Sequence, residues 1–158
     1  MNRILALLFL ASCTIISCKK SDNTNRCAVV TDTAASAEVT TLKAYLDSNK
    51  IQATADSRGF FYNILAPGDT SIRPGACSNI TVTYTGRLTT GIQFDAKNGI
   101  GILLSSVITG WKEGIPLIGK GGSIILYIPP SQGYGSVVQG TIPANSTLVF
   151  AIDLLDVD

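Results

Sequence analysis

The chain has no histidine among its 158 residues. That absence excludes Ser–His and Cys–His nucleophilic pairs and imidazole zinc sites, and it removes the side chain that ordinarily titrates near neutrality. Charge is scarce as well: 12 Lys+Arg face 11 Asp+Glu, only 15% of residues are charged, and the net charge is +1. Such a balance offers no basic face for nucleic acid. There is no glycine-rich phosphate loop, dinucleotide fingerprint, calcium loop or GxSxG elbow. No metal, cofactor or nucleic acid is therefore expected. What is there is 46% hydrophobic, with 15 glycines and abundant Ser and Thr. This is the composition of a neutral globular domain, and the length suits one domain or at most two.

The first residues read as an export leader. Met1-Asn2-Arg3 supplies a basic start, Ile4–Ile16 is apolar, and Ser17-Cys18 precedes the polar run KKSDNTNR. The apolar stretch falls short of the roughly 20 residues that a spanning helix needs. Cys18 after Ile15-Ile16-Ser17 resembles a bacterial lipobox, whose cysteine becomes the lipidated first residue of the mature chain. Leu10-Ala11-Ser12-Cys13 also fits that pattern, but cutting there would leave Thr14-Ile15-Ile16 exposed. The expectation is a leader over 1–17, lipidation at Cys18, and attachment to a membrane of a Gram-negative envelope, the outer membrane preferred. Cys27 and Cys77 then remain in a compartment that permits disulfides. Spacing alone leaves two outcomes, one Cys27–Cys77 bond or two unpaired thiols.

Residues 18–35 are polar and small and read as a flexible tether. A helix is predicted over about 37–48, with Ser36 as cap, Glu38 in the first turn, Val39, Leu42 and Leu46 on one face, and Asn49 as a left-handed stop. Residues 36–58 form this helix and a connector. From Gly59 the texture is β, with candidate strands at Phe60–Leu65, Ile80–Thr85, Ile92–Asp95, Ser123–Ile128 and Thr147–Leu155. Val107–Ile115, bounded by Pro116, is the one helical candidate in that half. The predicted class is α+β, an antiparallel sheet with one short helix and an extra N-terminal helix.

A spaced aromatic and apolar set stands out: Tyr84, Phe94, Val107, Ile108, Trp111, Tyr134, Ile142 and Phe150. Any one alone would be ordinary core. Asp95, directly after Phe94, is harder to bury without partners. In order, YTGRLTTGIQFD (Tyr84–Asp95), VITGWKEGIPLI (Val107–Ile118), GYG (Gly133–Gly135) and IPANSTLVFAIDLL (Ile142–Leu155) resemble the FKBP-type peptidyl-prolyl cis-trans isomerases. The resemblance covers residues 59–158 and implies an antiparallel sheet wrapped around the short helix, with a ligand pocket between them.

Position by position, the resemblance implies that Trp111 is the floor for a proline ring, with Tyr84, Phe94, Val107, Ile108 and Phe150 as apolar walls. The backbone N–H of Ile108 would hold a substrate carbonyl and the Tyr134 hydroxyl would face the carbonyl before proline. Asp95 would order the rim and Ile142 would close the side. Where relatives place a second aromatic wall, Ile100 is expected instead, which weakens the case for tight macrolide binding. The implied activity is isomerisation of Xaa-Pro bonds in exported polypeptides by a monomer. The alternative is a proline-peptide-binding chaperone or adaptor without catalysis. On this reading nothing in the pocket changes charge between about pH 6 and 8.

Overall fold

The computed structural model describes Cys27 and residues 31–158. The leader, Cys13, Cys18 and most of the tether lie outside the described residues. No described helix is long and apolar enough to cross a membrane.

Helix α1 spans Ser36–Ser48 and buries Leu42 and Leu46 completely or nearly so. Its ends differ from expectation. Ala35 occupies the cap position, and Ser36 is already helical, its carbonyl accepting the Thr40 hydroxyl at 2.9 Å. Asn49 is not left-handed (φ −94°); its side-chain amide folds back and donates to the Tyr45 carbonyl at 2.8 Å. The left-handed residue is Lys50, at φ 55°.

Six strands follow: β1 (Thr54–Ala55), β2 (Phe61–Ala66), β3 (Asn79–Leu88), β4 (Gln93–Leu103), β5 (Ser123–Ile128) and β6 (Leu148–Val157). They form one sheet in the order β1-β2-β5-β6-β3-β4, with every pair antiparallel. β1 is too short to leave a sequence pattern. β4 runs well past Asp95 because the Lys97-Asn98-Gly99 interruption is absorbed by a register shift opposite Val82–Tyr84. Thr83 Oγ1 stitches that bulge: it donates to Asn98 Oδ1 at 2.8 Å and accepts from the Gly99 N–H at 3.1 Å.

The two faces of β5 explain its unbroken apolar run. Ile124, Leu126 and Ile128 point into the main core with Leu148, Phe150, Ile152 and Leu154 of β6. Tyr127 points the other way, into a second cluster with Phe61, Leu42 and Leu46. Helix α1 covers that outer face, so β5 is buried on both sides and loses the alternation of a half-exposed strand. Burying a leucine side chain is worth about 1.5–3 kcal/mol, so Leu42 and Leu46 are the main anchors of α1 on the sheet, joined by Val39 and Tyr45.

On the main-core face lies α2 (Thr109–Gly114), continued by a 3-10 turn over Ile115–Leu117. Pro116 sits inside that turn, near its start, where a missing N–H leaves no bond unmade. Gly110 and Gly114, one helical turn apart, let α2 lie hard against β5. A Cβ at Gly110 would stand 2.6 Å from Ile128 Cγ2, and one at Gly114 2.5 Å from Leu126 Cδ2. Finally, Cys27 is joined to Cys77, in the β2–β3 loop, by a disulfide with the Cα atoms 5.1 Å apart.

Candidate active site

The close seat of α2 presses Trp111 down onto the sheet, where it is 4% exposed. Two rings stand edge-on against it. Tyr84 from β3 has its centroid 5.0 Å away at 86°, and Phe150 from β6 lies 5.1 Å away at 85°. Phe94 from β4 packs edge-on against Phe150 in turn, at 5.5 Å and 83°. Edge-to-face contacts set the positive ring edge on the negative ring face, so the four rings fix one another's tilt. Gly86 makes room for them, since a Cβ there would meet Phe94 at 2.5 Å and Phe150 at 2.8 Å.

These rings line a cleft of about 470 Å³ together with Val107 and Ile108, just ahead of α2, and Tyr134 and Ile142, from the β5–β6 loop. Asp95 is at its edge, as the Phe94-Asp95 pairing in the sequence suggested. The structure also shows what satisfies it: the Tyr84 hydroxyl donates to Asp95 Oδ2 at 2.6 Å. Burial first, and then this bond to a carboxylate, push the Tyr84 hydroxyl well above the ordinary tyrosine range, so it stays protonated. Burial, with a smaller contribution from the Asp95 charge, likewise raises Tyr134.

Two cleft-lining residues carry donors without protein partners among the described residues: the Tyr134 hydroxyl and the Ile108 N–H. The Ile108 carbonyl is already used, accepting the Trp111 and Lys112 N–H groups as α2 begins. The indole N–H of Trp111 is buried and also unpartnered. Among the described residues, no three His, Cys, Asp or Glu side chains gather to hold a metal ion. The cleft is thus an aromatic cup with a few hydrogen-bond donors. Ser106 and Thr141 bring hydroxyls to its border, with no histidine in the chain to activate them, and Ser106 Oγ donates to the Leu103 carbonyl at 2.7 Å.

Ile100 is placed differently from expectation. It packs against the core opposite Val82 and does not line the cleft; Ile102, two residues on along β4, does. Both residues lie beyond the register shift on one face of β4, opposite Val82 and Ile80, and it is Ile102 that supplies the aliphatic wall. Gln139, Gly140 and Thr141 also border the opening and carried no distinctive sequence signal.

The sequence model of the family described as FKBP-type peptidyl-prolyl cis-trans isomerase matches residues 70–155, just over half of the chain. The chain belongs to that family. An FKBP-type isomerase of Buchnera aphidicola from Acyrthosiphon pisum, FkpA, is 51% identical over 84 residues, covering 51% of this chain and 35% of that protein. FkpA of Escherichia coli K12 is 40% identical over 105 residues, 64% of this chain and 38% of that protein. The chain therefore spans well under half the length of these curated relatives. The crystal structure of E. coli FkpA superposes with a TM-score of 0.70 at 35% identity, over 78% of this chain and 61% of that one. A peptidyl-prolyl cis-trans isomerase from Pseudomonas syringae superposes at 0.68 with 29% identity, over 80% and 98% of the two chains. The fold is FKBP-like, and the FKBP-type cleft lies between its short helix and its sheet.

One group behind this FKBP-type cleft escaped the sequence reading. Glu113, on α2, is 3% exposed, and burial pushes its carboxyl up to about 7. Among the described residues its one side-chain hydrogen-bond partner is Gln132, whose Nε2 donates to Glu113 Oε2 at 3.0 Å. Neither residue lines the cleft; Glu113 lies on α2 two residues beyond the floor residue Trp111, outside the site for which no charge change near neutrality is expected. The signal was a lone Glu between Lys112 and Gly114, indistinguishable in sequence from a solvated helix face.

Proposed function

We propose that this chain is a peptidyl-prolyl cis-trans isomerase acting on Xaa-Pro bonds of exported polypeptides. The observation that carries the proposal is the Trp111 floor, walled edge-on by Tyr84 and Phe150 and open to two unpaired donors. An Xaa-Pro amide resists rotation by about 18–20 kcal/mol because resonance keeps it planar, and no bond need break for it to turn. The cup accepts the proline ring over Trp111. Twisting the amide removes its charge separation, so an apolar cleft disfavours the planar form more than the twisted one. The Ile108 N–H holds one substrate carbonyl and the Tyr134 hydroxyl donates to the carbonyl before proline, strengthening as it rotates. Asp95, by accepting from Tyr84, orders the rim and moves no proton. Val107, Ile102 and Ile142 exclude water from the flanks. Each roughly 1.4 kcal/mol of preference for the twisted form gives a tenfold rate.

The test is an isomerisation assay on the purified chain with an Xaa-Pro peptide, Leu or Phe preceding the proline. Acceleration that saturates with peptide supports the reading. A folded chain that binds the peptide without accelerating it would make the protein a non-enzymatic binder.

The same proposal places the protein in a Gram-negative envelope as a monomer, held to a membrane by lipid on Cys18. The supporting features are the basic start, the short apolar run, the lipobox-like Ile15-Ile16-Ser17-Cys18 and a compartment suited to the Cys27–Cys77 bond. Cys18→Ala is expected to move the protein from the membrane fraction to the soluble fraction or to stall processing, while Cys13→Ala leaves it anchored. The opposite pattern would transfer the anchor to Cys13.

A further inference from the structure

Two buried side-chain oxygens behind the cleft have no hydrogen-bond partner among the described residues: Glu113 Oε1 and Gln132 Oε1. They belong to neighbouring side chains that already share one bond, from Gln132 Nε2 to Glu113 Oε2. The orientation of the Gln132 amide is fixed by its other contacts. Its Nε2 also lies 3.0 Å from the Asp32 carbonyl and 3.1 Å from the Arg58 carbonyl, which only an N–H can satisfy, so its two hydrogens serve three acceptors and one of them is shared. Gln132 Oε1 is therefore an acceptor lacking a donor. An ionised Glu113 is acceptor-only and cannot supply one; a protonated carboxylic acid can.

We propose that Glu113 and Gln132 form a reciprocal acid–amide pair, in which neutral Glu113 donates through Oε1 to Gln132 Oε1, clamping the Trp111 helix to the Tyr134 loop. One proton satisfies both orphaned oxygens, and leaving either unsatisfied is costly in so buried a place. The charged groups around Glu113 are consistent with neutrality. Arg58, from the turn before β2, is the nearest cation, its Nε 3.9 Å from Glu113 Oε2. That guanidinium is already committed, giving Nε to Asp56 Oδ1 at 2.7 Å and a second nitrogen to Asp56 Oδ2 at 2.9 Å. Asp56 on the same turn and Asp32 on the N-terminal segment both oppose a negative charge at Glu113. Desolvation is the largest influence and acts in the same direction, outweighing Arg58.

The pair is a positioning device and does not touch substrate. Glu113 lies two residues after the floor residue Trp111, and Gln132 two residues before Tyr134. Next to Gln132, the Ser131 N–H and hydroxyl donate to Glu38 of α1, the N–H at 3.0 Å, so the loop is held at two adjacent positions. Ionising Glu113 deprives Gln132 Oε1 of its donor and draws Arg58 away from Asp56. The loop then loses its register against α2, and the Tyr134 hydroxyl its distance from Trp111.

This inference rests on the isomerase reading for its catalytic arm, so the experiment has arms independent of activity. In the wild-type chain at pH 6, infrared spectroscopy is expected to show the C=O stretch of a protonated carboxylic acid. That band should vanish by pH 8.5 and be missing at both pH values in Glu113→Gln. Between pH 5 and 8, the wild-type melting temperature should fall relative to that of Glu113→Gln. The sign follows from linkage: a carboxyl raised from 4.5 to about 7 on folding makes the native state the better proton binder across that window. kcat/KM for an Xaa-Pro peptide should drop threefold or more from pH 6 to pH 8.5 in the wild type. Glu113→Gln, which keeps an N–H donor at the same place, should stay flat near the wild-type value at pH 6. A merely structural role would lower activity in a variant without changing the shape of its pH profile. Absence of the infrared band in the wild type, or equal pH slopes for both proteins, would overturn the pair. A chain inactive at every pH would instead overturn the isomerase reading, leaving the infrared and melting arms to decide on Glu113.

Discussion

At the scale of single residues, the cleft divides its work unequally. Tyr134 offers one neutral hydrogen bond, typically worth about 1 kcal/mol net. Tyr134→Phe should therefore lower kcat/KM about fivefold in a peptide assay and leave substantial activity. Phe150 does more, because it touches Trp111, Phe94 and Tyr84 at once and is 4% exposed. Phe150→Ala should give the larger loss of kcat/KM and cost about 3–5 kcal/mol of stability, read by denaturant unfolding. Equal effects of the two substitutions would contradict this division. The aromatic members were legible in sequence because large rings at fixed spacings around a Val-Ile-x-Gly-Trp segment are rare by chance. Ile100 was expected where Ile102 stands because two aliphatic residues two apart on one strand face look alike in residue order. Glu113 was missed because burial, which sets its chemistry, leaves no mark in a stretch reading Trp-Lys-Glu-Gly.

At the scale of elements, α2 owes its position to what it lacks. Gly110 and Gly114 give it a bare stripe, and Leu126 and Ile128 fill the space that two methyl groups would take. Helix propensity alone would favour Gly114→Ala by up to about 1 kcal/mol. The clash with a fully buried Leu126 should outweigh that gain, with a net destabilisation of about 1–3 kcal/mol measured by denaturant midpoint. A stabilised variant would mean that α2 can slide freely. The bounds of β5 and the existence of α1 were legible, since one is a compact apolar run and the other carries Val39, Leu42 and Leu46 at helical spacing. The length of β4 was not, because pairing with β3, supplied by distant residues, overrides its Lys-Asn-Gly interruption. The face that α1 covers was equally hidden; only the sheet brings Phe61 and Tyr127 together beneath it.

At the scale of the whole molecule, the Cys27–Cys77 bond closes a loop with a sequence separation of 50. In the chain-entropy picture such a loop is worth about 4 kcal/mol. The native protein should show no reactive thiol from these two residues until it is denatured and reduced, and reduction should lower its melting temperature. Two titratable thiols in the native state would remove the bond from the account. The bond also decides how the domain bears a pull. Tension arriving along the chain from ahead of Cys27 passes directly into the β2–β3 loop at Cys77. Everything from Asp32 through α1 to β2 lies within the covalent ring and is shunted, like the slack in a cable behind its clamp. The hydrogen bonds of Gln132 to the Asp32 and Arg58 carbonyls, and of Ser131 to Glu38, therefore feel none of that load. With the bond cut, the same tug would run through each of them in turn and reach the Tyr134 wall last.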